Sequence, residues 1–332
     1  MVQFTIKKPG LFGKAGLLLV EMYHHPLGET LPESTARVLC CEALVRSETC
    51  RIREFVMGMF DGKKGLITGV FNKQSIAWAI AERIMDEGGE CGFSYMPDKA
   101  DDARQKNLGR LKKLTDGNAQ VKFLQPMDIT KDEHIAELMD RCRSDLGQID
   151  FLLHSIAFAL PDDLKGDTIA TSRDGFKLAM EISAFSIIAL ANAAQEVLSG
   201  GASVLTLTYF GGEKAVPGYN VMGVCKAALD SIVKYLAYDL GPRGIRVNAL
   251  SAGPLQTISG RGAGVEQMLG LYEAMAPLGR NITHEEAGKT GAFLLSEMSS
   301  GITGEILHLD GGYNAMGSPG RLLDRIKSVE LV

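Results

Sequence analysis

The sequence predicts an α/β protein built on one parallel sheet of seven strands, with helices on both faces. Three observations carry this. From Lys63 onward, short apolar runs alternate with helical patterns, the order that yields parallel strands joined by crossover helices. The first run, Gly65–Gly69, is apolar and closed by glycine, as a strand buried on both faces is. Seven of them fit within about 260 residues, the size of a single doubly wound domain.

Each element follows in order. Gly65–Gly69 is an apolar run closed by glycine, the first strand. Ser75–Glu87 repeats Ile76, Ala77, Ile80 and Ile84 at helical spacing. Cys91–Met96 is the second strand, then a polar helix spans roughly 100–115, and Val121–Gln125 is the third strand. Lys131–Leu146 is helical, with Ile135, Leu138 and Met139 on one face. Ile149–Leu153 is the fourth strand, Gly175–Leu198 a long apolar helix and Ser203–Thr208 the fifth strand. Tyr219–Leu240 is a second long helix, stopped by Gly241-Pro242. Ile245–Leu250 is the sixth strand. Thr283–Ser296 is a helix with Glu285 and Glu286 in its first turn, where the helix dipole favours acids. Glu305–Leu309 is the seventh strand. The whole reads as a Rossmann-type domain.

Composition narrows the function. Of 332 residues, 45% are hydrophobic and 23% charged, which excludes a wholly disordered chain. The net charge of −5 and the lack of a Lys/Arg block argue against nucleic-acid binding. No unbroken apolar run of about 18 residues occurs, so no membrane span is expected. The six cysteines are scattered, with no Cys-x-x-Cys pair and no histidine at ligand spacing. No metal site is expected, and reduced thiols in a cytoplasmic protein are. Residues 1–56 lack periodicity and carry seven basic and six acidic residues. They read as an extension of uncertain order, upstream of a natural start at Met57, or else as a targeting or partner-binding arm. The Rossmann-type domain is placed at 57–316, with a lid region at 254–280 and a tail at 317–332.

The chemistry lies in the loops. Thr68-Gly69 through Ser75-Ile76-Ala77 is the first strand-to-helix turn, where a tight glycine turn and free helix amides can hold a pyrophosphate. It lacks G-x-G-x-x-G, and Ser75 reads equally as a helix N-cap. Met96 ends the second strand, either as a core residue or beside a ribose. No arginine adjoins it, which leans towards NAD over NADP. Asp128 can accept from an adenine amino group or cap the next helix. His154 reads as a satisfied structural histidine. Tyr219 and Lys226, seven apart, fall about two helical turns apart on one face. Tyr209 ends the preceding strand. An ammonium near a phenol favours the phenolate and sharpens the tyrosine as a proton donor.

On these residues the chain resembles the short-chain dehydrogenase/reductases, and among them the NADH-dependent enoyl-acyl-carrier-protein reductases. The resemblance rests on Gly69-x5-Ser75-Ile76-Ala77, His154-Ser155-Ile156, Tyr209…Tyr219-x6-Lys226, Arg246-Val247-Asn248-Ala249-Leu250-Ser251-Ala252-Gly253-Pro254 and Asp310-Gly311-Gly312. It covers about residues 57–315, and the Tyr-x6-Lys spacing sets this group apart from Tyr-x3-Lys relatives. It implies NADH contacts at Gly69, Ser75, Ile76, Met96, Asp128, Ile129, Ser155, Ile156 and Lys226, with Leu255, Gln256, Thr257, Ile258 and Ser259 covering the nicotinamide and pyrophosphate. It implies substrate contacts at Ala159, Tyr209 and Tyr219. Tyr219 is expected to hydrogen-bond the thioester oxygen, Lys226 to hold the nicotinamide ribose, and Tyr209 to line the acyl channel and assist protonation. A homotetramer, acting on enoyl chains carried by acyl carrier protein, is implied as well. Gly260, Gly262 and Gly264 suggest a mobile lid. The segment Val265-Glu266-Gln267-Met268 lacks the basic residues that meet the carrier in relatives, which leaves coenzyme A thioesters or another docking patch open. The alternatives are another carbonyl or C=C reductase on this scaffold, or a protein that senses NADH without turnover.

Overall fold

A computed structural model of the chain describes residues 58–99, 101–255 and 265–323. The extension 1–56, the lid glycines, Gln256, Thr257, Ile258 and Ser259, and residues 324–332 of the tail lie outside the described residues. Seven strands form one sheet: β1 (Lys64–Ile67), β2 (Glu90–Tyr95), β3 (Val121–Pro126), β4 (Ile149–His154), β5 (Leu198–Thr208), β6 (Arg246–Ala252) and β7 (Ile306–Leu309). Their order is β3-β2-β1-β4-β5-β6-β7, and every pairing is parallel. The predicted doubly wound sheet is therefore present. The strand order reverses between β1 and β4, which opens a crevice at their carboxyl ends.

Helices α1 (Ile76–Asp86), α2 (Lys106–Thr115) and α7 (His284–Leu295) cover one face. The other carries α3 (Asp132–Asp145), α4 (Arg173–Glu196) and α5 (Asn220–Leu240). α6 (Val265–Met275) precedes α7. Pleating sends neighbouring strand residues to opposite cores. On β4, Leu152 packs with Leu138, Leu190 and Val233. Phe151 and Leu153 pack with Ile80, Ile84 and Leu294 on the far side. All three strand residues are fully buried, and truncating any to alanine removes about 2–5 kcal/mol. Thr283 and Glu286 form a capping box at the start of α7, where the acidic first turn was expected.

Boundaries around the long apolar helix differ from expectation. The helix placed at 175–198 begins at Arg173 and ends at Glu196, and β5 starts at Leu198 rather than Ser203. Ser199–Ala202 bow out of the ladder, since Ile149 pairs with Leu198 but Phe151 with Ser203. Glycines 200 and 201 hid this excursion from a reading by hydropathy. α4 is also apolar enough to cross a membrane by length and composition, with mean hydropathy 1.4, which the search for unbroken apolar runs missed. Its Ile187, Leu190 and Ala191 are core residues.

His154 is the structural residue expected. It is fully buried between Thr206 Oγ1 at Nδ1 and Ser186 Oγ at Nε2, both 2.8 Å away. Ser186 donates its hydroxyl to the Ile182 carbonyl, so it accepts from Nε2–H, and Nδ1 accepts from Thr206. The neutral ring is fully paired. Burial, helped by the nearby Lys226 charge, pushes its pKa down to about 3 from an ordinary 6.5. Below pH 6.5 the unfolded chain takes up a proton that the fold refuses. Stability should then fall by about 1.4 kcal/mol per pH unit until about pH 3. Denaturant unfolding from pH 7 to 4 should show this slope, and His154→Asn should lack one proton of it. Equal slopes in the two proteins would refute the assignment.

Candidate active site

The residues singled out by the sequence gather along the carboxyl edge of the sheet. At the crevice, Thr68 stitches β1 to β4, since its hydroxyl donates to the Leu153 carbonyl (2.9 Å) and accepts from the Ser155 amide (3.4 Å). Gly69 has φ +82°, and a Cβ there would lie 1.8 Å from the Ser155 carbonyl oxygen. No other residue fits on either count. Ser75 stands at the N-cap of α1 but does not cap it. Its hydroxyl accepts the amides of Phe71 (3.0 Å) and Asn72 (3.1 Å), folding the loop onto itself. The amides of Ile76 and Ala77 meet no acceptor among the described residues. A glycine turn under a helix end with free donors fits a dinucleotide pyrophosphate.

The next two edges correct the sequence reading. Met96 is 60% exposed just beyond β2, not a core residue, and its carbonyl accepts from the Asn107 side chain. Arg110 lies over the Phe71 ring of the glycine loop at 4.4 Å. Sequence adjacency could not find it, because α2 carries it back to the loop. Asp128 does not cap α3, whose N-cap is Lys131. Its Oδ1 accepts the amide (3.1 Å) and hydroxyl (2.8 Å) of Thr130, an Asx turn. Ile129 and Ile156 pack against the core between α3, α4 and α5. Leu255, just past β6, is buried with Ala252, Ile282 and Ala287.

Beyond β4, Ala159 is buried in a small cluster with Ala179, Val221, Met222 and Cys225, against which Tyr219 packs. Ser183, which the sequence reading missed, sets this segment. Its hydroxyl accepts the Phe158 amide (2.9 Å) and donates to the Phe158 carbonyl (3.0 Å). Ser183 lies in a π-helical turn of α4, Glu181–Phe185, and such turns cluster at functional sites.

Tyr209 and Tyr219 come together, but not by the route the spacing predicts. Tyr219 is not on the helix face. It is the N-cap of α5, and the next residue, Asn220, has φ +37°. The Asn220 side chain donates to the Gly166 carbonyl at 2.8 Å. A main-chain turn, not helical periodicity, aims the phenol. The Tyr209 and Tyr219 rings meet edge to face at 4.8 Å. Lys226 is buried, and its Nζ donates to the Leu207 carbonyl at 2.7 Å.

The electrostatics also differ from expectation. Burial, then neighbouring Tyr209, holds the Tyr219 phenol well above its usual range, and Lys226 is not among the groups shifting it. Tyr219 is thus a neutral hydrogen-bond donor rather than an incipient phenolate. Burial lowers Lys226 to about 8, against the upward pull of Asp230 and Cys225. Asp230, one turn along α5, is buried, and its Oδ1 meets no hydrogen-bond partner among the described residues. Close packing seats it: a Cβ on Gly212 would lie 2.8 Å from its Oδ2. The i, i+4 relation to Lys226 was the signal that could have found it.

The chain matches the family described as enoyl-(acyl carrier protein) reductase over residues 69–314, which contain every site residue above except Thr68. The enoyl-[acyl-carrier-protein] reductase [NADH] FabI of Bacillus cereus is 45% identical over 262 residues, covering 79% of this chain and 100% of the relative. The crystal structure of the Aquifex aeolicus enoyl-[acyl-carrier-protein] reductase (NADH) is 40% identical with TM-score 0.74, covering 79% of this chain and 100% of that one. The Anaplasma phagocytophilum enoyl-(acyl-carrier-protein) reductase, solved in complex with NAD, is 38% identical with TM-score 0.73, covering 79% and 96%.

The left-handed turn at Asn220 gives a direct test. Asn220→Ala should cut kcat/KM about tenfold, because alanine resists this backbone by about 1 kcal/mol and loses the Gly166 bond. Asn220→Gly, free of the backbone penalty, should recover part of the loss. Equal losses in the two variants would remove the backbone from the account.

Proposed function

This chain belongs to the enoyl-(acyl carrier protein) reductase family, and on that premise we propose that it reduces trans-2-enoyl thioesters to saturated acyl thioesters with NADH, the last step of fatty-acid elongation. The observation that carries the reading is the edge-to-face pairing of Tyr209 with Tyr219 at the start of the helix that buries Lys226. NADH, when bound, supplies the hydride that adds to C3 of the enoyl chain.

The chain's own residues do the rest. Gly69 and the free amides of Ile76 and Ala77 receive the pyrophosphate. Met96, Asp128 and Ile129 lie where the adenosine half would run, and Ser155, Ile156 and Leu255 where the nicotinamide half would. Lys226 holds the nicotinamide ribose through its ammonium. As hydride adds, charge gathers on the thioester oxygen, and Tyr219 donates a hydrogen bond to it there. A phenol that stays protonated suits this role, since it is a donor throughout the working pH range. Tyr209 lines the acyl channel and assists protonation of C2, and Ala159 offers backbone to the substrate.

The substrate's carrier is acyl carrier protein, and the reaction belongs in the cytoplasm. A homotetramer is supported by the outer faces of α4 and α5, which expose Phe176, Phe185, Val224, Tyr235 and Tyr238, the last at 81%. Light scattering should return four chain masses, and Phe185→Glu with Tyr238→Glu should lower that number. A parent protein that runs as a monomer would remove this part.

The reaction itself is tested by NADH oxidation with crotonyl-coenzyme A or longer trans-2-enoyl thioesters. Lys226→Ala should abolish turnover, and Tyr219→Phe should lower it by about tenfold or more. No turnover with NADH or NADPH, on coenzyme A or carrier-protein thioesters, would point instead to ketone substrates or to NADH sensing. The basic limb of kcat/KM, which reports the unliganded protein, should fall near pH 8 as Lys226 loses its proton. Asp230→Asn, which withdraws the carboxylate that raises Lys226, should move the limb to lower pH.

A further inference from the structure

We propose that Tyr272 is a positioning residue for Tyr209: from α6 it donates a hydrogen bond to the Tyr209 hydroxyl, fixing that hydroxyl's direction and strengthening it as an acid. The inference rests on the proposed role of Tyr209 in protonation.

Tyr209 is 8% exposed and Tyr272 2%. Tyr272 Oη donates to Tyr209 Oη at 3.0 Å. Tyr209 Oη faces Met268 Sδ, also on α6, at 3.6 Å. One helix thus supplies both a donor and a weak acceptor to the Tyr209 hydroxyl. With its lone pair engaged by Tyr272, the Tyr209 proton rests on a soft sulfur contact, which a better acceptor can displace.

The donor is itself rigid. The Tyr272 ring stacks on Tyr313 at 3.7 Å and 11°. Tyr313 meets the edge of Phe210 at 5.7 Å. The turn that carries Tyr313 is tied by Asp310, whose carboxylate accepts the amides of Gly312 and Asn314, both at 2.9 Å, and the Asn314 side chain. A continuous aromatic path therefore runs from Tyr313 through Tyr272 and Tyr209 to Tyr219.

The chemistry has a definite sign. Donation to a phenol oxygen stabilises the phenolate more than the phenol, so it opposes the upward push of burial on Tyr209. Burial pushes the Tyr272 phenol far up, so it remains a donor at any working pH.

The test separates the two tyrosines. A fluorinated tyrosine placed at position 209 reports its own ionisation by fluorine NMR, without substrate or cofactor. In Tyr272→Phe, which keeps the ring on Tyr313, the midpoint should rise by about one pH unit, a tenfold weaker acid. Turnover should fall several-fold, with the KM for NADH unchanged. In a Tyr209→Phe background, Tyr272→Phe should cost no further turnover. An unmoved midpoint in a variant that melts with the parent overturns the proposal, as does an equal loss in the Tyr209→Phe background. If Tyr209→Phe alone retains full turnover, the protonation role of Tyr209 falls, and the midpoint still decides whether Tyr272 sets its acidity.

Discussion

β1 is hydrogen-bonded on both sides, to β2 and to β4, and the chain leaves β1 and β4 for helices on opposite faces of the sheet. The loops beyond these two strands must diverge, yet they begin in contact. Gly69 lies against the Ser155 carbonyl so closely that a single added carbon would drive the strands apart. This contact sets the floor of the crevice and the tilt with which α1 presents its free amides. The remaining site residues stand at distances counted from that floor, because β5 and β6 are registered on β4 residue by residue. A side chain at position 69 would disturb a whole edge rather than one ligand contact.

Burial is the dominant electrostatic influence along this edge, and it acts with one sense. It discharges His154, weakens the hold of Lys226 on its proton, and keeps Tyr219 and Tyr272 protonated. At neutral pH the array therefore consists of one ammonium among neutral phenols. Such an array donates hydrogen bonds and carries no anion of its own facing the developing charge. Asp230 moderates this, because its carboxylate recovers part of what Lys226 loses to burial. The hydroxyls of Ser183 and Ser186 serve a parallel purpose on α4. One holds the Phe158 backbone and the other fixes the His154 tautomer. Both follow from a wide turn that brings successive serines inward.

The fold was legible because short, largely apolar strand runs alternate with helical segments, most of which keep a 3.6-residue period. The seven strands and their order of connection follow from that pattern alone. What escaped were features without periodicity. The bow at Ser199–Ala202 is polar and glycine-rich, so β5 looked shorter than it is. Spacing placed Tyr219 and Lys226 on one helix face, but it cannot reveal a left-handed residue such as Asn220 between a cap and its helix. Of the two readings of Met96, core residue or ribose neighbour, its position past the last paired residue removes the first by exposing it. Arg110, Ser183 and Tyr272 lie far in sequence from the groups they touch, and no local motif marks them.

The residues that complete the site come from opposite ends of the described chain. Gly69 lies just beyond the first strand, and Tyr313 just beyond the last. During synthesis the ribosome releases Gly69 long before the stretch that pairs with β6 and carries Tyr313. A nascent chain can assemble the nucleotide-facing half early, from β1 through β4, but the aromatic path into Tyr209 closes only after Tyr313 has emerged. A chain that ends between Tyr272 and Tyr313 keeps the residues of the first loop and of Tyr209 but lacks the ring on which Tyr272 stacks.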